Sequence, residues 1–421
     1  MKLWQKVVIS LVLGIGCGYL LNAGGPLHYD GSNVLKEYVL PFGNAFLSLI
    51  KMVIVPLIFF SLISGVTSMT DQGAFRRVGL KAVISFLLTA TFAVLIGLVF
   101  ATVFTPGKGV NLDEILKTTG GITPSAIGTE PFGLQKLLNE IVPENFIHAM
   151  SNNEHILQVV LLAIFTAVII MSIGEKARLV RDVCQSAAHV VFKMIEAIMK
   201  LSPYGVFCII APLVSSQGLD VIKYLAILIV TVACALLLQY LLFGVMIVVF
   251  GRLSPLPFYK KVLETQSFAF STRSSKATLP TAMRVVNERM GVSKSSSSFI
   301  LPLGAAINMD GTAIYLGICS LFFAQAYGMH FTLQQYLVLI LTATLGSIGA
   351  AGIPSGSIIM MGMVFSSVGL PLGGIAVILG IDPILDMLRT TVNITGDSVI
   401  TLLVDKSEGT FNEKTYYDKS L

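Results

Sequence analysis

Charge is what this 421-residue sequence has least of: Asp, Glu, Lys and Arg together make up 12% of it, against 54% apolar residues. A water-soluble domain carries about twice that charged fraction. A soluble fold of this length is therefore excluded, and a mean hydropathy of +0.83 points to lipid as the solvent. Cysteine is sparse and scattered: Cys17, Cys184, Cys208, Cys234 and Cys319 stand singly, with neither metal-ligand spacing nor a disulfide framework. Most lie in apolar runs, where a thiol serves as a small hydrophobe. No basic patch with interleaved aromatics accompanies the net charge of +5, so no nucleic-acid partner is expected. His28, His148, His155, His189 and His330 all lie far in sequence from the carboxylates described below. That leaves no nucleophile–base or metal constellation, and the chain is not expected to be an enzyme.

Long apolar runs are what is there. They cover 4–22, 38–69, 82–104, 155–173, 184–214, 221–250, 298–327 and 373–404. Each can cross a hydrocarbon core about 30 Å thick, which takes about 20 helical residues, and the longer ones should be tilted or broken. The first run follows Lys2 and Lys6 like a signal peptide, but its cleavage site is weak, so an uncleaved first span is expected. With the N-terminus inside, the clusters Arg76/Arg77/Lys81, Lys176/Arg178/Arg181, Arg252/Lys260/Lys261 and Arg284/Arg289/Lys294 all become cytoplasmic. So does the tail with Lys406, Lys414 and Lys419, while the charge-balanced segment 105–150 falls outside. One orientation satisfies every loop.

Two segments do not read as ordinary spans. Residues 257–292 gather Ser267, Ser271, Thr272, Ser274, Ser275 and Thr278 around Arg273 and Lys276, followed by Pro280. Residues 333–369 are apolar but interrupted by Gly346-Ser-Ile-Gly-Ala-Ala-Gly-Ile-Pro-Ser-Gly-Ser357. Each reads as a helical hairpin that enters the membrane and turns back. Non-helical backbone at that depth is tolerated only where protein buries it or a cavity needs it. Two such hairpins from opposite faces suit an inverted-repeat transporter with its substrate between their tips. Small-residue helix packing would explain the glycines, but not a Ser/Thr cluster beside Arg and Lys.

The richest chemistry lies in the last run. Asp382, Asp386, Arg389, Asn393 and Asp397 follow at intervals of four, three, four and four residues. On a helix they form one stripe about 80° wide, with Ile, Leu, Met and Val on the other faces. Intramembrane charges cost roughly 2.5–3.5 kcal/mol each, so such a seam needs partners. Asp386 and Arg389, one turn apart, can pair. Asn308-Met-Asp-Gly-Thr312 adds Asp310 and predicts a break in the preceding helix. The four acids exceed the one base by three negative charges. That excess calls for bound cations, protons or the basic hairpin tip, and hard cations favour the carboxylate, amide and carbonyl oxygens present here.

Four motifs in order, Thr272-Arg-Ser-Ser-Lys-Ala-Thr-Leu-Pro280, Asn308-Met-Asp-Gly-Thr312, Gly352-Ile-Pro354 and Asp386-Met-Leu-Arg-Thr-Thr-Val-Asn-Ile-Thr-Gly-Asp397, resemble the glutamate transporter family, the dicarboxylate/amino acid:cation symporters. The likeness spans nearly the whole chain. It implies an all-α membrane protein of eight transmembrane helices plus two re-entrant hairpins with inverted repeats, assembled as a homotrimer. A scaffold (about 1–75 and 140–215) would hold a mobile transport part (about 78–106 and 220–404, with hairpins 257–292 and 333–369). It further implies import of L-glutamate or L-aspartate with Na⁺, or H⁺ instead, by an elevator-type motion. The setting would be a prokaryotic cytoplasmic (inner) membrane with both termini cytoplasmic.

By position, Arg389 resembles the arginine that takes the substrate's side-chain carboxylate, and Asp386 the acceptor for its ammonium. Ser275, Thr390, Asn393 and the second tip from Ile353 to Ser357 resemble the α-carboxylate site, with Thr312 close by. Asp397 with carbonyls of Gly304, Asn308 and Asn393 resembles one sodium site. Carbonyls of Ser347, Ile348 and Ala350 resemble part of a second, and Thr89, Asn308 and Asp310 a third. The sequence departs from the pattern at Phe86 and Ala90, where hydroxyls are usual near the third site, and at Lys276 and Ala277, where Ser and Gly are common. Within the family, a proton-coupled glutamate carrier and a C4-dicarboxylate carrier are the alternatives. Arg389 argues against neutral substrates and Asp386 against C4-dicarboxylates. From another class, an ion channel would need a ring of charges along an open pore.

Overall fold

The computed structural model describes residues 3–22, 25–26, 31–67, 74–110, 142–151, 156–217, 220–349 and 356–418. All regular structure among them is helical. We number the longer helices α1 (Leu3–Leu20), α2 (Leu40–Thr67), α3 (Ala74–Phe104), α4 (Ile156–Ile173), α5 (Arg178–Met199), α6 (Ser202–Gln217) and α7 (Asp220–Val249). They continue with α8 (Pro255–Thr272), α9 (Ser275–Arg284), α10 (Lys294–Ile307), α11 (Asp310–Ala326), α12 (Leu333–Gly349), α13 (Gly356–Val368) and α14 (Asp382–Ser407).

Outward faces carry large apolar side chains, among them Phe92 and Val99 on α3, Phe165 on α4, and Leu237 and Val245 on α7. An apolar surface of that extent is a liability in water and a match for lipid. The chain is a multi-pass membrane protein. Among the described residues, Ser32–Ser64, Arg77–Phe104, Lys223–Val249 and Lys294–Ala326 are long and apolar enough to cross unaided. Leu161–Met199 and Ser202–Ser216, bent by 51° to each other, make a fifth if the pair is one span. The run expected at 184–214 is thus broken at Lys200–Leu201, beyond a half-solvated α5 that exposes Lys193 and Glu196. The last run is helical over α14, whose polar seam takes it below the hydropathy of a simple span.

Packing divides the helices. α1 lies along α6, and α2 against α4, α5 and α6. Separately, α3 lies along α11, while α14 is surrounded by α7, α8, α10 and α11. An 18-residue apolar stretch within Lys294–Ala326 is 94% buried, against 39% for the corresponding stretches of α3 and α7, so α10–α11 lie at the centre of the second group, packed on α14.

Local chemistry sets the interruptions. Ser274 accepts a hydrogen bond from Ala277 N (3.3 Å) and caps α9. Prolines in the first turns of α8 and α14 cost no hydrogen bond there. Between α8 and α9 the chain turns through Arg273, which adopts a left-handed φ of 53°. A non-glycine residue in that region stores about 1–2 kcal/mol of strain. The expected break of the Asn308 motif falls at Asn308, which is extended, and Met309, which is non-helical; together they separate α10 from α11.

Candidate substrate and cation site

The seam of α14 faces protein on every side. Arg389 is 1% exposed, and its Nη2 donates to Asp382 Oδ1 (2.8 Å) and Asp386 Oδ1 (3.0 Å). Its guanidinium lies 4.0 Å from the ring centroid of Tyr315 on α11, a stacking that fixes the plane of the fork. Nε and Nη1 are buried without a partner, so part of the fork is held and part is free to bind. From the α8–α9 turn, the buried Arg273 brings Nη1 to 3.8 Å from Asp386 Oδ2. Asp386 therefore stands between two guanidiniums. Asp382, the first acid of the stripe, and Arg273, from the basic hairpin tip, thus join the site as partners of Arg389 and Asp386.

Asn393 ties α14 to the break. Its Oδ1 accepts from Gly311 N (2.7 Å) and its Nδ2 approaches Met309 Sδ (3.1 Å). Gly311 is needed there: a Cβ would stand 2.8 Å from the Arg389 carbonyl oxygen. Thr312 and Thr390 are buried beside these groups in sequence. Ser275 and Ser357 are buried with unpartnered hydroxyls. Ile353 and Ala350 lie outside the described residues. Lys276 is exposed, and its ammonium sits 5.1 Å from the Phe192 ring on α5, so it touches the other group of helices.

One turn further along α14 lies a second cluster. Asp310 and Asp397 are fully buried, and Asn308 Nδ2 donates to Asp397 Oδ1 (2.8 Å). Gln239 on α7 donates from Nε2 to Asp310 Oδ2 (3.3 Å), a partner not recognised in the sequence. Four oxygens here are buried and unpartnered: Asn308 Oδ1, Asp310 Oδ1, Asp397 Oδ2 and Gln239 Oε1. Thr89 is buried and its hydroxyl donates to Phe86 O (3.1 Å), leaving its lone pairs available. Phe86 packs with Ile300, Leu303, Ile307 and Ile400, giving packing where a hydroxyl would give an oxygen. Gly304 O already accepts Asn308 N (2.7 Å), and Ser347 Oγ donates to Thr344 O (2.7 Å) on α12, which also carries Ile348. Carboxylate, amide and hydroxyl oxygens without nitrogen or sulfur ligands form a donor set for a hard cation.

A profile of the sodium:dicarboxylate symporter family matches residues 3–407. The chain belongs to that family. It is 32% identical over 413 residues to the proton/sodium-glutamate symport protein of Bacillus caldotenax, covering 98% of this chain and 95% of the relative. It is 33% identical over 416 residues to a C4-dicarboxylate transport protein of Rhodospirillum rubrum, covering 97% and 90%. The proton/glutamate-aspartate symporter of Escherichia coli K12 is 32% identical over 420 residues, covering 98% and 94%. This family member is accordingly a cation-coupled symporter of acidic amino acids or dicarboxylates, not an enzyme.

Proposed function

We propose that the chain imports L-glutamate or L-aspartate together with Na⁺ by an elevator-type alternating-access mechanism. The observation that carries this reading is the half-held fork of Arg389. Two of its nitrogens are buried and unpartnered beside Asp386, which suits a substrate bearing a carboxylate and, a few bonds away, an ammonium. Ser275, Thr312, Thr390, Asn393 and Ser357, with Ile353, would hold the α-carboxylate. The four orphaned oxygens around Asp310 and Asp397 favour Na⁺ as the driving ion, with Thr89 at their edge and the carbonyls of Gly304 and Asn393 near Asp397. Ser347, Ile348 and Ala350 would serve a further Na⁺.

The two packing groups are consistent with a scaffold of about 1–75 and 140–215 and a transport part of about 78–106 and 220–404. In this reading eight spans and two re-entrant hairpins (257–292 and 333–369) form a homotrimer in a prokaryotic inner membrane, termini cytoplasmic. Proton coupling is the alternative driving force, named for two of the relatives.

One observation favours a second substrate. Because Arg273 already lies near Asp386, its charge is partly compensated before any ammonium arrives, which suits a C4-dicarboxylate. Uptake of labelled glutamate, aspartate and succinate into proteoliposomes, under an imposed Na⁺ or pH gradient, separates these readings. Na⁺-dependent uptake of the amino acids supports the proposal. Uptake of succinate alone gives the site to dicarboxylates, and proton-driven uptake without Na⁺ overturns the cation assignment.

A further inference from the structure

We propose that Gln239 is a ligand of the coupling cation, its side-chain carbonyl joining Asp310 from the neighbouring helix α7. The inference rests on the Na⁺ reading above. Gln239 sits in an apolar run, Leu236-Leu-Leu-Gln-Tyr-Leu-Leu-Phe243, and is 2% exposed. A buried amide is costly there unless both of its ends find partners. Its nitrogen reaches Asp310 Oδ2 only at 3.3 Å, and its oxygen has no partner. The facing carboxylate is equally incomplete, since Asp310 Oδ1 is orphaned as well. An amide with one long hydrogen bond is a poor structural brace. An amide oxygen and a carboxylate oxygen on facing side chains, both without a hydrogen-bond donor, are what a hard cation completes.

The amide also offers two states. Rotation about its last torsion exchanges nitrogen and oxygen at nearly the same place. With its nitrogen turned inward, the amide donates to Asp310. With the cation present, the oxygen turns inward and coordinates it. Gln239 thus keeps Asp310 partnered after the cation leaves, which a fixed oxygen could not do. It also supplies a neutral side-chain oxygen, which Phe86 and Ala90 lack.

The test uses the purified full chain, with thermal unfolding followed as NaCl replaces choline chloride at constant ionic strength. Direct ²²Na⁺ binding gives a second readout. Wild type is compared with Gln239→Leu and Gln239→Glu, and Gln239→Met replaces the leucine variant if that does not survive purification. The wild-type midpoint should rise with Na⁺. Gln239→Leu should need about tenfold more Na⁺ for half the shift, whereas Gln239→Glu, which keeps an oxygen, should respond at wild-type concentrations or below. A leucine or methionine variant that responds like wild type overturns the inference and leaves the Na⁺ reading standing. Loss of response in Gln239→Glu as well as in Gln239→Leu overturns it too, since the amide would then matter only as a donor. A wild type shifted by substrate but never by Na⁺ sinks the Na⁺ reading, and this inference with it.

Discussion

Replacing Arg389 by lysine separates the charge of that side chain from its shape. Arg389 balances Asp382 and Asp386 through a single nitrogen, Nη2, and leaves Nε and Nη1 for the substrate. A lysine keeps the positive charge, so the two carboxylates stay compensated and the protein should fold. It cannot offer two parallel N–H groups, and it loses the flat stacking on Tyr315. Losing one hydrogen bond to a charged partner costs about 1.5–3 kcal/mol, which raises KM for glutamate or aspartate by roughly 10- to 150-fold. Removing the charge in Arg389→Gln does something different: it strands Asp382 and leaves Asp386 with Arg273 alone, at a cost of about 3–5 kcal/mol in stability. Initial uptake rates in proteoliposomes, paired with thermal melts of the same preparations, read both effects. An Arg389→Lys protein that transports with KM within about threefold of wild type would refute the fork as the substrate's anchor.

Three other perturbations follow from the geometry. Arg273→Gly and Arg273→Ala both delete the guanidinium near Asp386, but only glycine relieves the left-handed φ of 53°; the glycine variant should be more stable by about 1 kcal/mol in thermal or denaturant unfolding, and equal stability would mean the turn carries no strain. Lys261→Met should destabilise by about 3 kcal/mol or more, because the buried ammonium donates to Arg289 O (2.6 Å), Thr415 O (2.9 Å) and Tyr416 O (3.0 Å), and all three carbonyls would be left without it. Hydrogen exchange at 413–417 should rise in that variant, and an unchanged tail would show that Lys261 does not hold it. Glu408, beyond the end of α14, accepts from Lys81 and Arg77, which hold its carboxyl below the ordinary glutamate range. A depressed carboxylate stabilises above its unfolded pKa and loses that contribution as pH falls through its folded pKa. The difference in melting temperature between wild type and Glu408→Gln should therefore be constant at neutral pH and close in acid below that range; a gap that widens on acidification would contradict the assignment.

The sequence made periodic and local features legible. The seam of α14 is visible because a helix repeats every 3.6 residues, so acids at those intervals share a face whatever packs against them. The interruption at Asn308–Met309 and the turn after Thr272 were legible because their residues disfavour a continuous apolar helix. Contacts set by docking were not. Gln239 and Asp310 are 71 residues apart, and a lone glutamine in an apolar run looks like a packing residue. Tyr315 gives no sign in the sequence that its ring lies under Arg389, since every residue around it on α11 is equally buried. Lys261 read as one cation of a cytoplasmic loop, yet it is buried among carbonyls of two distant segments. In each case the partner comes from another helix, and spacing along one chain carries no information about which helices meet.

Arg273 also changes the electrostatic account of the site. From the stripe and Asp310 alone, the acids exceed the base by three charges. With Arg273 near Asp386, the excess falls to two. The remainder is not spread along α14: Asp382 and Asp386 are matched by Arg389 and Arg273, so the carboxyl groups of the cluster without a cationic partner are Asp310 and Asp397. The seam is thus an electrically balanced substrate end joined through Asn393 and Met309 to an end whose carboxyl groups lack cationic partners. On the proposed mechanism this division supplies a reason for coupling. Two bare carboxylates carried through lipid cost roughly 2.5–3.5 kcal/mol each on insertion scales, and more where water cannot follow. Cations at Asp310 and Asp397 remove that cost. Because Asn393 Oδ1 is bonded to Gly311 N at the helix break, ordering the cation end also fixes the backbone against which Arg389 packs. Substrate and cation then favour the same arrangement of one short stretch, residues 308–312, without needing to touch each other.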